Sequence, residues 1–358
     1  MFVSHFSSLR PVCPNCRARK ETVELELVTV EEWQGDDVVS GIILCGACGA
    51  EYPVIDGLPI LVPDVRRYIQ DNLFYLLARA DLPPAVESLI GDASGPGSMF
   101  DSARQHLSSY VWDHWGEFDP DERLLEGAVA RPGAIARALH SVMAMADDDL
   151  PHGPILDIGC GVGRSVHELA TDGERMVLGI DLGASLARAA RRAVIGGQVD
   201  YGRRRIGLSY DRRRFQVPPT PESRADIWIC DILSLPFADE TFALVVGLNV
   251  LDCLGDPRGG LTEMDRVIAN GGELLLTVPF DWSAVVTPVE GWIGGHSQRG
   301  PHQGAGEAIL EHLLTEGPLA AGTLRRKSST AEIPWHVRLH ERSCMNYQTY
   351  GIAARRCG

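Results

Sequence analysis

From about residue 150 the sequence alternates short apolar runs with helix-like stretches, and the first run ends in a turn with three glycines. "GPILDIG" (153–159) reads as a strand that enters Gly159-Cys160-Gly161-Val162-Gly163, and "RSVHELA" then begins a helix. "MVLGID" (176–181) and "LGASLARAARRAV" (182–194) repeat the pair. "DIWICDI" (226–232), "FALVVGLN" (242–249) and "ELLLTVPF" (273–280) are three more strands. Nearly unbroken apolar strands are buried on both faces, and strand–helix–strand order demands parallel pairing. The expectation is a doubly wound, mostly parallel α/β sheet.

The glycine turn lets backbone approach a ligand where a Cβ would clash. It does not have the spacing of a dinucleotide fingerprint, which needs a glycine at the position held by Arg164. Asp181 ends the second strand, where a carboxylate can accept from both hydroxyls of a ribose. Asp231 closes the third in "CDILSLPFADETFALVV" (230–246). Each aspartate alone reads equally well as a helix cap or turn residue. Together, "LDIGCGVG", Asp181 and Asp231 resemble, in order and spacing, class I S-adenosylmethionine-dependent methyltransferases. The resemblance implies a Rossmann-like sheet over residues 151–358. It also implies a cofactor site made of Asp157 at the methionine amino group, the turn Gly159, Gly161 and Gly163, Asp181 with Leu182 at the ribose, Asp231 and Ile232 at the adenine, and Asn249.

The N-terminal segment makes a different demand. Cys13-Pro-Asn-Cys16 and Cys45-Gly-Ala-Cys48 are two C-x2-C pairs among nine cysteines, an odd number that argues against a disulfide framework. Two such knuckles can close four thiolates around a structural Zn2+ with no open coordination position. "ETVELELVTV" (21–30) supplies a strand between them, and "YPVIDGLPILVP" (52–63) reads as one buried strand after them. Cys160, Cys230 and Cys253 read as small buried apolar residues. Residues 1–65 carry four Lys+Arg and ten Asp+Glu, hence 4 − 10 = −6, which leaves no charge for phosphate contacts. "CPNC" with "CGACGAEYPVIDGLPILVPD" resembles the small zinc-ribbon activator subunit of tRNA and protein methyltransferases, over about residues 10–65. That resemblance implies a β-rich ribbon (1–65) docked on a methyltransferase domain through an apolar face. A helical connecting and substrate-cap segment (66–150) would join the two.

The whole chain of 358 residues has a net charge of −15, which weighs against nucleic acid as a partner. The one basic cluster, "YGRRRIGLSYDRRRF" (201–215), reads as a solvated insertion or as a patch for an anionic partner. No apolar run is long enough to span a membrane, and "MFVSHFSSLRPVC" lacks a leader's apolar stretch, so a cytoplasmic protein is expected.

The segments beyond the fourth strand face the methyl acceptor in this fold. "GLNVLDCLG", "TVPFDWS", "GWIGGH", "IPWHVRLHERSCMNYQTYGIAARR" and the upstream "LSSYVWDHWGEF" together resemble the methyltransferase domain of ovothiol biosynthesis, over about residues 107–356. The matching positions are Asn249, Asp252, Pro279, Phe280, Trp282, Trp292, Gly294, Gly295, Tyr110, His114 and Trp115. The resemblance implies a small histidine-derived (thio)imidazole or related amino-acid substrate, methylated on nitrogen. Asn249, Asp252, Tyr110 and His114 would grip the acceptor. The chain departs from that family in lacking the iron oxygenase domain and in carrying Phe280 and Trp115 where the family has tyrosine. Asn249 and Asp252 read equally as caps of the next helix, and His114 as a packed core histidine. Trp282, Trp292 and His296 read as a pocket wall or lid, or as core. The alternative function is a tRNA or protein methyltransferase that recognises its substrate through the ribbon.

Overall fold

The computed structural model describes residues 1–124, 130–221, 223–315 and 323–357. Helix α1 (Val3–Leu9) and the short α2 (Pro14–Arg17) precede the hairpin of β1 (Glu26–Gln34) and β2 (Asp37–Leu44). The expected single strand over 52–63 is two, β3 (Glu51–Ile55) and β4 (Leu58–Leu61). Asp56 and Gly57 take φ of 52° and 75°, so the Asp-Gly pair forms a two-residue turn that suits a tight hairpin. The hairpin brings β4 alongside a core strand rather than leaving it on the ribbon.

Helices α3 (Val65–Leu77), α4 (Pro84–Ser94), α5 (Met99–Trp115) and α6 (Ala134–Met143) follow. These four helices and the loops between them occupy most of 66–150; residues 125–129 of it lie outside the described residues. The α/β part runs β5 (Ile155–Ile158), α7 (Arg164–Asp172), β6 (Val177–Asp181), α8 (Ala184–Val194), β7 (Gln198–Ile206), β8 (Ser209–Gln216) and β9 (Ala225–Cys230). It continues with β10 (Phe242–Leu248), α9 (Pro257–Val267), β11 (Ile268–Val278), α10 (Gly306–Thr315), β12 (Leu324–His340) and β13 (Ser343–Arg356).

One sheet of 11 strands contains both regions, in the order β1-β2-β3-β4-β9-β6-β5-β10-β11-β13-β12. The strands from β4 to β11 pair in parallel, while β13 runs antiparallel to both β11 and β12. At the junction Ile60 pairs with Ile229 and Leu61 with Cys230. Side chains alternate between two cores. Leu156, Leu178, Trp228 and Val245 face one that also holds Met1, Phe6, Cys13 and Leu261. Ile155, Val177, Ile227 and Leu244 face the other, with residues of α3, α5, α6, α7 and α8. The ribbon therefore both lengthens the sheet and covers part of one face.

A buried ion cluster fixes this seam. Arg191 of α8 pairs with Asp226 of β9 at 2.7 Å and with Asp37 of β2. The α-ammonium of Met1 donates to Asp37 at 2.6 Å, and the Phe2 amide donates to Asp226 at 2.9 Å. Charges buried this deeply persist when each is paired and hydrogen-bonded.

The basic cluster at 201–215 is neither a solvated insertion nor a free cationic patch. It is the β7–β8 hairpin; five of its six arginines lie in ion pairs, and Arg204 donates to Gln105 and the Gly207 carbonyl. Arg203 holds Glu122 through two bonds of 2.8 and 2.7 Å. Arg212 pairs with Asp200 and Glu87, Arg214 with Asp200, and Arg213 with Asp119 and Asp121. The acidic partners come largely from other elements, so the pairing fastens the hairpin to the α4–α5 region.

Candidate functional site

The carboxyl ends of β5, β6, β9 and β10 open on a hollow of about 210 Å³. Glycine geometry shapes its floor. Gly159, Gly161 and Gly163 have φ of 67°, 56° and 85°, a region that L side chains rarely adopt. A Cβ on Gly161 would lie 3.1 Å from the His114 ring and 3.3 Å from Tyr110, and one on Gly163 would strike Val194 and Ala190 of α8. The first glycines admit the wall of the hollow, and the third lets α7 and α8 pack. Trp115, fully buried, donates its Nε1–H to the Val162 carbonyl at 2.7 Å and braces the turn from α5.

Asp181 is the hub. Its two oxygens accept from the Gly161 amide at 2.9 Å and the Gly183 amide at 2.7 Å. Each oxygen keeps a lone pair for a ligand hydroxyl. Burial pushes Asp181 up to about 6, against those two amides. Asp157 sits behind the turn, wholly buried, and accepts from the Ser165 hydroxyl. Burial pushes it up to about 7. Ser165, rather than Asp157, lines the hollow. Asp231 accepts from the Leu233 amide at 2.9 Å and borders the hollow with Leu182 and Ile232.

Leu182 and Asp231 also border a second cleft, about 530 Å³, whose far wall is Val62–Asp64 and α3. Tyr68 of α3 donates to the Leu182 carbonyl at 2.8 Å. The chain leaving the ribbon thus forms one side of the site, a placement that no local motif signalled.

Tyr110 and His114 of α5 and Asn249 after β10 all line the hollow. Asn249 has φ of 53°, a strained value for a residue other than glycine. Thr277 donates to its Oδ1 at 2.8 Å, and among the described residues its buried Nδ2 has no partner. Asp252 accepts from the Asp281 amide at 2.8 Å, and its buried Oδ1 has none. Burial pushes Asp252 up to about 6. Neither residue caps the next helix: Asp256 caps α9, accepting from Gly259.

His114 is the packed histidine. Its Nδ1 accepts from the Arg164 amide at 3.3 Å, which places the ring proton on Nε2. Burial, with the Arg164 charge nearby, pulls it down to about 3, so it is neutral and a poor base. Cys160 and Cys230 are buried as expected, but Cys253 is exposed and lines the hollow. Trp282, Trp292 and His296 are not in its wall. The two indoles stack at 6.3 Å, Trp292 donates to the Thr287 carbonyl, and His296 lies 3.2 Å from the Trp292 carbonyl. Trp335 of β12 is in the wall and was not foreseen. Its Nε1–H donates to Asp113 at 2.5 Å, a carboxyl that burial pushes up to about 7. Its segment belongs to the resemblance noted above, but only the folding of β12 against α5 singles out Trp335 within it.

The four ribbon cysteines converge on one point. Their sulfurs lie within 4.8 Å of one another, with Cys13–Cys48 and Cys16–Cys45 both 3.7 Å apart. Sulfurs about 2.3 Å from a tetrahedral Zn2+ stand roughly 3.8 Å apart, so the set fits that ion. The surroundings fit thiolates: the Tyr52 hydroxyl is 3.1 Å from Cys13, Arg19 donates to Cys16 at 3.4 Å, and Asn15 to Cys48 at 3.7 Å.

Residues 156–276 match the family described as "Methyltransferase domain". Among characterised and uncharacterised relatives, a 37.1 kDa protein in transposon TN4556 of Streptomyces fradiae is 29% identical over 168 residues, 46% of this chain and 41% of that one. Methyltransferase GfsG of Streptomyces halstedii is 25% identical over 200 residues, 52% of this chain and 62% of that one. Ajmaline N-methyltransferase of Rauvolfia serpentina is 24% identical over 190 residues, 51% and 54% respectively. The chain spans about half the length of the curated relatives it matches. The fold is a Rossmann-like methyltransferase sheet, extended at one edge by the four-cysteine module. Among the described residues no helix is long and apolar enough to cross a membrane.

Proposed function

We propose that the chain is an S-adenosylmethionine-dependent methyltransferase that methylates a nitrogen of a small histidine-derived (thio)imidazole or related amino acid. The observation that carries the acceptor side of this reading is Asn249, held at φ 53° in the wall of the hollow with an unpartnered Nδ2. A strained residue with an unmet donor at a strand's carboxyl end is poised for a ligand. The matched family supports the cofactor, and relatives named as N-methyltransferases are consistent with nitrogen as acceptor atom.

When bound, S-adenosylmethionine supplies a methyl group already activated on a sulfonium. The chain's own residues orient. Asp181 offers its free lone pairs to ribose hydroxyls, Asp231 and Ile232 border the adenine side, and the glycine turn accepts the close approach. Asn249 offers a donor to the lone pair of a neutral imidazole, while Asp252 lies outside the wall of the hollow. Tyr110 and Trp335 close the wall, and neutral His114 leaves acid–base work to others. Alignment of the acceptor is the main catalytic demand. Zn2+ at Cys13, Cys16, Cys45 and Cys48 would be structural, since four thiolates leave no reactive position. Pairing of the β7–β8 arginines supports a small substrate over a nucleic acid.

The test combines methyl-labelled cofactor with a small-molecule filtrate of cell extract, and separately with its RNA and protein fractions. Label should enter an imidazole-bearing metabolite; label confined to RNA or protein defeats the substrate reading. Asn249→Gly tolerates the left-handed backbone and removes the side-chain amide without adding charge. It should bind cofactor as the parent does and lose about tenfold or more in turnover, the worth of one hydrogen bond to a developing charge. Equal loss of cofactor affinity would place Asn249 on the cofactor instead.

A further inference from the structure

A second cavity, about 250 Å³, lies on the other side of the wall that bounds the hollow. The same two elements build both. Helix α5 gives Tyr110 and His114 to the hollow and Trp112 to this cavity, and β12 gives Trp335 to the hollow and Arg338 here. Arg338 is 5% exposed. Its Nη2 donates to the Arg204 carbonyl at 2.8 Å, and among the described residues its Nη1 has no partner. The adjacent Trp112, 2% exposed, has an unpartnered Nε1–H, and its ring lies 6.0 Å from the guanidinium carbon. Two buried groups that can only donate therefore go unmet in one wall.

The lining carries four arginines, Arg123, Arg203, Arg338 and Arg342, against two glutamates, Glu122 and Glu341. Arg203 and Glu122 cancel in a bidentate pair. Arg338 has no carboxylate within ion-pair distance among the described residues, though Glu341 acts on it at longer range, and Arg123 and Arg342 add further positive charge to the lining. Burial and the Arg203 charge pull Arg338 down to about 10, as expected of a cation lacking a close counter-ion. Buried guanidinium groups are ordinarily paired, because the desolvation of an uncompensated charge is costly.

We propose that this cavity is a binding site for a small oxyanion, a carboxylate or phosphate group, held by Arg338 Nη1 and Trp112 Nε1–H. A guanidinium matches either anion through charge-assisted bonds, and an indole N–H adds a donor with no acceptor to repel the ligand. The site is distinct from the proposed transfer site and does not depend on the reading of that site.

Calorimetry and thermal melting of the full chain test it, with sodium phosphate and sodium acetate in separate arms and ionic strength held constant by sodium chloride. One or both anions should bind saturably and raise the melting temperature; phosphate alone or acetate alone names the group. Arg338→Met keeps the apolar stem and removes the charge, and should weaken the anion about tenfold or more while cofactor binding persists. Trp112→Phe should weaken it less. No response of the parent protein to either anion, or an equal response in folded Arg338→Met, overturns the proposal. Should Arg338→Met fail to fold, an unchanged anion affinity in Trp112→Phe overturns it instead.

Discussion

The four-cysteine cluster and the glycine-turn hollow are opposite solutions to gathering polar groups. At the cluster every sulfur faces the others, and hydroxyl, amide and guanidinium donors surround them. Nothing there is left open to a reactant. At the hollow, Asn249 Nδ2 lacks a partner among the described residues, and Asp181 is pushed up by burial, as are Asp157 and Asp252 outside its wall. A saturated cluster holds structure together; an unsatisfied one waits for a ligand. The contrast also shows that the two are not independent, because β4 and α3 carry the ribbon directly to the Leu182 edge of the hollow.

The largest effect should come from breaking the cluster. Structural zinc sites carry on the order of 10 kcal/mol of binding energy that is also folding energy. Cys45→Ser should release metal and lower the melting temperature sharply, as read by elemental analysis and thermal melting. Because α3 borders the cleft at Leu182 and Asp231, where the proposed function places the cofactor, the remaining folded fraction should also bind S-adenosylmethionine more weakly. A variant with normal metal content and stability would erase the contrast.

Next comes the seam between the two regions. Arg191→Gln leaves Asp37 and Asp226 buried without their cation, and removing one partner of such a cluster costs about 3–5 kcal/mol. Chemical denaturation should show that loss. A change below one third of it would mean that the seam is wetter than the structure shows.

At the hollow, effects should be smaller and fall on binding rather than stability. Asp181→Asn replaces a charged acceptor of ribose hydroxyls, where charged hydrogen bonds are worth about 1.5–3 kcal/mol, tenfold or more in affinity. Calorimetry should show that loss with little change in melting. Equal affinity would remove Asp181 from the ribose.

The smallest effect is a pH dependence. Asp181 and Asp252 are raised to about 6 and Asp157 to about 7, all chiefly by burial. Carboxyls raised in the folded state bind more protons there than in the unfolded chain. Their contribution to stability is therefore fullest at low pH and is lost as pH rises through about 4 to 7. A cationic sulfonium favours the ionised forms, so its binding should release protons and tighten over the same rise. Near neutral pH only the end of that titration remains, so the gain in affinity from pH 7 to 8 is less than about tenfold. Calorimetry in two buffers of different ionisation enthalpy measures the released protons; proton uptake on binding would contradict the sign.

By itself the sequence determined what local chemistry dictates. The apolar runs and the Gly159–Gly163 turn specified the parallel strands, the C-x2-C pairs specified a convergent sulfur cluster, and Asp181 ends β6 as its position implied. Even the β3–β4 turn was written in Asp56-Gly57, although the flanking apolar run reads as one strand. Tertiary structure decided everything that depends on distant partners. It inserted β4 beside β9, because an apolar edge strand lowers its free energy by pairing. It turned the arginines of 201–215 inward onto Glu87, Asp119, Asp121 and Glu122, which no local pattern links to them. It neutralised His114 by burial, exposed Cys253, brought Trp335 into the wall, and left Arg338 without a close counter-ion. Backbone preference and hydrophobic pattern act over a few residues and can be read along the chain. Desolvation and charge pairing act through space, and depend on which elements the fold brings together.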